Sequence, residues 1–293
     1  MPVTFRDVET AVAVDIGGTK LAVALVDADG RVVERAVAPT PADDVWSVLA
    51  SLVTTVVGLA PADASLVVCG VGSGGPMTAG GEAVSPLNIP AWRDFPLRAS
   101  LASLLDMPVF VDNDAKALAL AEGWLGAARG ARDYIAMVVS TGVGGGVVVD
   151  GRLLDGATGN AGHIGHLIVV PGGRQCACGA RGCLEAEISG LSVQSITGRP
   201  AAEAGIDVIE RSGGLLGQAL ASVVSLLDIR LAVVSGSVAL GWGEPFFAAA
   251  SRELAASAQL SFARGAVVVP GGLGHDGPVV GAAAVGWRGL GRL

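Results

Sequence analysis

The sequence predicts an α/β protein, and three observations carry that expectation. Apolar runs of strand length alternate with amphipathic runs of helix length, glycine-containing turns punctuate them, and one three-strand pattern occurs twice. With 293 residues the chain is about twice a typical domain of roughly 150 residues, so two domains or lobes are expected. Hydrophobic residues make up 51% and charged residues 16%, which excludes an intrinsically disordered chain. Lys and Arg total 19 against 27 for Asp and Glu, a net charge of −8. That balance argues against nucleic acid as a partner and against polybasic attachment to a membrane. The 44 glycines follow no G-X-Y period, so collagen is excluded and many tight turns are implied.

The first copy of the repeated pattern is a strand at 11–15, the loop Gly17-Gly18-Thr19-Lys20, a strand at 21–26, an Asp29-Gly30 turn and a strand at 32–37. The second copy is a strand at 134–139, the loop Ser140 to Gly146, a strand at 147–149, Asp150-Gly151 and a strand at 152–154. Between the copies the pattern predicts a helix at 45–59, a strand at 66–71, a helix at 97–105, a strand at 109–111 and a helix at 114–126. After them it predicts helices at 184–190, 202–211 and 214–227, a strand at 231–234, a helix at 244–258, a strand at 266–269 and a helix at 278–289. A lobe boundary is expected near 113. The small lobe is then 1–113 with the C-terminal helix at about 276–293, and the large lobe is 114–275.

Residues 45–62 form an uncharged run of 18, the lower limit for a membrane span. Ser47, Ser51, Thr54 and Thr55 fall on one helical stripe, so the run reads as an amphipathic helix lying on a sheet. The first ten residues carry acids and no apolar leader core, and a cytoplasmic location is expected.

Three groups of residues carry chemistry. Each glycine loop follows an apolar strand and holds a hydroxyl residue, so each can turn a row of backbone N–H groups toward an anion. A pair of such loops suggests a polyphosphate, and Asp15, at the end of the first strand, could hold Mg²⁺ through water. The segment Asp112-Asn113-Asp114-Ala115-Lys116 joins a strand end to a helix start. A carboxylate there either caps the helix or accepts a proton from a substrate hydroxyl, with the helix dipole expected to keep it ionised and weakly basic. His166, Cys176, Cys178 and Cys183 supply one imidazole and three thiolates, a complete tetrahedral donor set for a structural Zn²⁺, and His163, three residues before His166, is either a competing fourth ligand or a polar contact in the cleft. Cys69, within an apolar strand, is expected in the core, and His275 in a surface turn.

The segments D-I-G-G-T-K (15–20), V-D-N-D-A-K (111–116), S-T-G-V-G-G-G (140–146), G-N-A-G-H-I-G-H (159–166) and C-A-C-G-A-R-G-C-L-E (176–185) together resemble the ROK family of bacterial sugar kinases and sugar-responsive repressors. The resemblance runs from about residue 10 to the C-terminus. It implies the actin-like, ribonuclease-H-type ATPase fold, two lobes closing on sugar and nucleotide, and ATP with Mg²⁺ as phosphoryl donor. By the same resemblance Asp114 is the catalytic base, and Gly75, Asn88, Asn113, His163, His166 and Glu185 meet the sugar. Asp15, Gly17, Gly18, Thr19, Lys20, Thr141, Gly142, Gly144, Gly145 and Gly236 would meet the nucleotide and its metal. One position departs from the pattern: His163 stands where the family's E-x-G-H motif has Glu.

These readings predict an ATP-dependent hexose kinase acting on the 6-hydroxyl, with glucose first and an N-acetylhexosamine (N-acetylmannosamine or N-acetylglucosamine) as the alternative. A homodimer is expected by likeness to bacterial relatives. A sugar sensor of the repressor type ranks lower. Family repressors carry a DNA-binding helix-turn-helix ahead of the kinase-like part, and here the first glycine loop starts at residue 17.

Overall fold

A computed structural model describes residues 8–293. The first seven residues, part of the stretch considered for a leader, lie outside the described residues. In chain order the first elements are β1 (Val8–Ile16), β2 (Lys20–Asp27), β3 (Val32–Pro39), α1 (Val45–Gly58), β4 (Ala64–Ser73), α2 (Leu97–Leu105), β5 (Val109–Asn113) and α3 (Asp114–Trp124). Next come β6 (Tyr134–Val139), β7 (Val143–Val149), β8 (Arg152–Leu153), α4 (Leu184–Ile188), α5 (Gly190–Thr197) and α6 (Ile206–Leu227). The chain ends with β9 (Leu231–Ser235), α7 (Ser237–Trp242), α8 (Glu244–Ser257), β10 (Val267–Pro270) and α9 (Gly277–Gly289).

Two compact units result. One takes the chain to Trp124 with Asp155–Ala161 and His275–Leu293; the other takes Leu125–Leu154 and Gly162–Gly274. Their sheets have the same plan. The first has strand order β3-β2-β1-β4-β5 and the second β8-β7-β6-β9-β10, each an antiparallel meander extended by two parallel strands. The duplication read from the sequence is therefore a duplication of topology, and the class is α/β.

In the first unit the alternation of β1 decides what covers each face of the sheet. Val12 and Val14 join Leu21, Val23, Leu25, Cys69 and Val71 in a core closed by Val45, Leu49 and Val53 of α1 and Leu97 and Leu101 of α2. The opposite face is a row of small side chains, Ala11, Ala13, Ala22 and Ala24, and it receives Val279, Ala282, Ala283 and Trp287 of α9. The small row lets α9 approach at backbone distance: a methyl group at Gly70 would fall 2.0 Å from the Ala282 carbonyl oxygen. Helix α1 is amphipathic as expected, with Ser47, Ser51, Thr54 and Thr55 away from the buried Val45, Leu49, Val53 and Val56. Among the described residues no helix is long and apolar enough to cross a membrane.

Five points differ from what the sequence predicts. The helices expected at 202–211 and 214–227 are one helix, α6, because its glycines serve packing and do not break it. A Cβ at Gly213 or Gly217 would lie 2.4 Å from the Phe246 or Ala250 carbonyl of α8. The strand expected at 147–149 starts at Val143, so Gly144 and Gly145 are strand residues opposite Val138 and Met137, and the loop proper is Ser140 to Gly142. The helix expected at 184–190 is two, α4 and α5, parted at Ser189, whose side chain accepts from the Ser192 N–H and starts α5. Helix α7, which no periodicity announces, follows Gly236 directly. Helix α3 belongs with the first unit, where a Cβ at Gly281 of α9 would lie 2.8 Å from the Ala117 carbonyl.

Replacing Gly70 by Ala forces α9 off β4 and is expected to lower stability by about 1–3 kcal/mol, the usual cost of overpacking, measured as a lower denaturant midpoint.

Candidate active site

Each compact unit carries its own group of candidate residues. In the first, β1, β4 and β5 run parallel, and their register sets Asp15, Gly72 and Asp112 in one row across the sheet. Just beyond that row β5 passes into α3, so Asp114 stands in the first turn of that helix at the same end of the sheet as Asp15. Both carboxyls titrate above their ordinary range. Burial pushes Asp15 up to about 7, the charge of Asp114 adds to the rise, and Lys20 and Arg35 oppose it. Asp114 is also raised by burial, against the pull of backbone N–H groups at the helix start. The expectation that the helix dipole leaves Asp114 a weak base is thus corrected, because desolvation outweighs the helix terminus.

Around this pair the first glycine turn is closed by the Gly17 N–H donating to the Lys20 carbonyl at 3.0 Å and by Thr40 Oγ1 donating to the Gly17 carbonyl at 2.7 Å. Gly18 and Thr19 are exposed. A Cβ at Gly18 would lie 2.5 Å from Cβ of Asn88, which places the Asn88 loop directly against the glycine turn. Gly75 belongs to the same group, since its carbonyl accepts from the Leu87 N–H at 3.2 Å. Asn113 Oδ1 accepts from the Ala115 N–H at 3.0 Å and so helps to start α3.

Sequence reasoning missed the ionic support beneath this group. Lys116, with 2% of its side chain exposed, reaches Asp112 Oδ1 and Asp155 Oδ1 at 2.8 Å each and the Gly159 carbonyl at 3.2 Å. Arg288 of α9 meets Asp155 Oδ2 at 3.0 Å and Asp112 Oδ2 at 3.5 Å. The i, i+4 spacing of Asp112 and Lys116 is a legible signal. Asp155 and Arg288 come from distant segments, and nothing local marks them.

In the second unit the four donors of the cysteine motif converge, with all ligand atoms within 4.8 Å of one another. Cys178 Sγ and Cys183 Sγ are 3.7 Å apart, and Cys176 Sγ is 3.7 Å from His166 Nδ1. Thiolates bound to zinc at about 2.3 Å and tetrahedral angles lie roughly 3.8 Å from each other, so the donor set fits that ion. With His166 Nδ1 turned to the metal side, only Nε2 of this ring is left for a ligand. His163 is exposed, its ring 5.9 Å from that of His166 and inclined by 20°.

The second glycine turn lies against these residues. Glu185, in the first turn of α4 and two residues past Cys183, accepts from the Val143 N–H through Oε2 at 2.9 Å. Thr141 and Gly142 complete the turn, and the Gly190 N–H donates to the Ser140 carbonyl at 2.8 Å. Gly236 has φ of 102°, and a Cβ there would lie 2.3 Å from the Val139 carbonyl. It opens α7 beside the same turn, where Ser237 Oγ and Ser140 Oγ are 2.9 Å apart. Lys20, Gly144 and Gly145 are strand residues flanking the two turns.

The ROK family model matches residues 11–287. The chain belongs to the ROK family. The N-acetylmannosamine kinase of Escherichia fergusonii is 38% identical over 250 residues, covering 80% of this chain and 85% of that protein. The enzyme of the same name from Escherichia coli O157:H7 matches to the same extent, 38% over 250 residues, with 80% and 85% covered. Among solved structures, a ROK glucokinase from Streptomyces griseus in complex with glucose and AMPPNP has a TM-score of 0.82 at 28% identity, covering 95% of this chain and 99% of that one. The ROK hexokinase from Thermus thermophilus has a TM-score of 0.80 at 32% identity, covering 96% and 99%. The duplicated sheet plan of this ROK chain is the actin-like ATPase fold.

Elemental analysis of the purified ROK protein is expected to find about one zinc per chain, reduced in Cys178→Ser, whose thiolate would be one of four ligands. Asp15 gives a second expectation. Its pKa is about 7 in the folded chain and 3.8 when unperturbed, so the folded state holds this proton more tightly and the associated stability fades as pH rises from about 4 to 7. Asp15→Asn should therefore raise Tm at pH 8 by several degrees and change it far less at pH 4.

Proposed function

We propose that this ROK sugar kinase transfers the γ-phosphoryl group of ATP to the 6-hydroxyl of an N-acetylhexosamine, N-acetylmannosamine ahead of glucose. The observation that carries the choice of sugar is the 38% identity to N-acetylmannosamine kinases, above the 28% to the glucose-bound glucokinase. It reverses the order expected from the sequence, where glucose comes first. The chemistry of His163 supports the same choice. A carboxylate only accepts hydrogen bonds, whereas an imidazole can donate one to the carbonyl of an N-acetyl group.

In this reading Asp114 accepts the proton of the 6-hydroxyl as that oxygen attacks the γ-phosphorus and ADP leaves. Its raised pKa makes it a better base near neutral pH than a solvated carboxylate. Lys116 neutralises the neighbouring Asp112 and keeps a further negative charge away from the base. The backbone N–H groups of Gly18 and Thr19 and of Thr141 and Gly142 would face the phosphate chain, where little covalent chemistry is needed and charge stabilisation supplies most of the acceleration. Asp15 would hold the Mg²⁺ that accompanies ATP, and the cation would neutralise phosphate charge there. His166, Cys176, Cys178 and Cys183 would hold a structural zinc that fixes the imidazole of His166. Asn88, Asn113, His163, His166 and Glu185 would receive the sugar, with Gly75 bordering it.

A coupled ADP-release assay over hexoses and N-acetylhexosamines is expected to give the highest kcat/KM with N-acetylmannosamine. Asp114→Asn should lower kcat by about 10²- to 10⁴-fold, the usual contribution of general acid–base catalysis. His163→Glu should move the preference toward glucose. A native enzyme that prefers glucose overturns the sugar assignment. Sugar binding without any phosphate transfer would instead favour a non-catalytic sensor.

A further inference from the structure

Glu185 enters the proposed function as a sugar ligand, yet its carboxylate is already engaged. One oxygen, Oε2, accepts from the Val143 N–H at 2.9 Å, the first amide after the Ser140 to Gly142 turn. The fit is close on the turn side too: a Cβ at Gly142 would fall 2.7 Å from the same oxygen. Glycine at 142 is therefore what lets a carboxylate lie along the turn.

Backbone also closes on the strand that follows this turn. A Cβ at Gly165 would lie 2.1 Å from the Val143 carbonyl, and one at Gly162 would lie 2.3 Å from the Gly145 carbonyl. The start of β7 is thus held both by the 162–166 segment and by Glu185. At the N-terminus of α5, the Gly190 N–H donates to the Ser140 carbonyl at 2.8 Å and holds the turn itself. These contacts tie the turn to the segments that carry the metal ligands and the sugar candidates. Of the groups that make them, the Glu185 carboxylate brings a second oxygen with which to meet a ligand.

We propose that Glu185 is a positioning residue for the nucleotide: through Oε2 it fixes the Val143 amide and so the phosphate-facing turn, while Oε1 serves the sugar. The inference rests on the assignment of Ser140 to Gly142 as a phosphate loop. One carboxylate then links the two substrates. A hydroxyl that binds Oε1 polarises and orients the group holding the turn, and by linkage the nucleotide acts back on sugar affinity by the same factor.

The test is calorimetric titration of the zinc-loaded protein with AMPPNP and Mg²⁺, with no sugar present. A residue that only binds sugar leaves this affinity unchanged when replaced. Glu185→Ala is expected to weaken AMPPNP by about tenfold, the scale of one hydrogen bond to a charged group. Glu185→Gln keeps an oxygen that can accept from Val143, so its AMPPNP affinity should stay near that of the parent while sugar affinity falls. Parent-like AMPPNP binding in Glu185→Ala overturns the proposal, and so does equal loss in Ala and Gln variants. If circular dichroism shows that Glu185→Ala does not fold, Gly142→Ala replaces it. Its methyl group displaces the carboxylate from the turn, so the same tenfold loss is expected, and unchanged affinity again overturns the proposal. A parent that takes up no AMPPNP at all refutes the phosphate-loop assignment and the kinase reading with it.

Discussion

Two carboxyls brought to the same end of one sheet, both short of water, set the terms for the first unit. Burial raises both, the charge of Asp114 adds to the cost of ionising Asp15, and a fold would ordinarily relieve this by turning one of them outward. Here strand register forbids that. Asp15 is fixed by the pairing of β1 with β4, and Asp114 by the junction of β5 with α3. The surrounding charges make the arrangement tolerable. Lys116 and Arg288 balance Asp112 and Asp155, so this neighbouring network adds no net charge to the pair. In the proposed kinase reading such a pair would take a divalent cation and a proton, which is what phosphate transfer to a hydroxyl requires.

The second unit reaches order by different means. Its sheet presents glycine where the first presents valine and alanine, and the chain segments around β7 close on it at backbone distance. Side chains there do little packing and much bonding: the cysteine cluster gathers the 166–183 segment, Glu185 seizes the Val143 amide, and Glu187 draws in the Arg174 N–H at 2.9 Å. A loop this rich in glycine would be floppy in isolation, because glycine loses more freedom on ordering than any other residue. A metal held by the four donors would be an economical remedy, since it would crosslink the loop without needing a core.

What can be read from the sequence alone follows from how local each signal is. The two meanders, the amphipathic α1 and the cysteine cluster are encoded within short windows, by alternation, by helical stripe and by ligand spacing. The continuity of α6 is hidden because Gly213 and Gly214 look like a break, and only α8 packed against Gly213 shows what that glycine is for. The second glycine loop looks longer than it is for a related reason: glycines inside β7 serve the approach of the 162–166 segment. Asp155 and Arg288 are invisible because they reach the Asp112–Lys116 pair from remote parts of the chain and belong to no motif. The basicity of Asp114 escapes sequence reading because a helix start is visible there and desolvation is not.

The placement of α9 has a consequence for biosynthesis. The alanine-rich face of the first sheet is assembled from the first two strands and β4, yet the helix that covers it follows the whole second unit in chain order. During synthesis those strands therefore lack their covering helix until the entire second unit has been made, so the first unit cannot be completed before then.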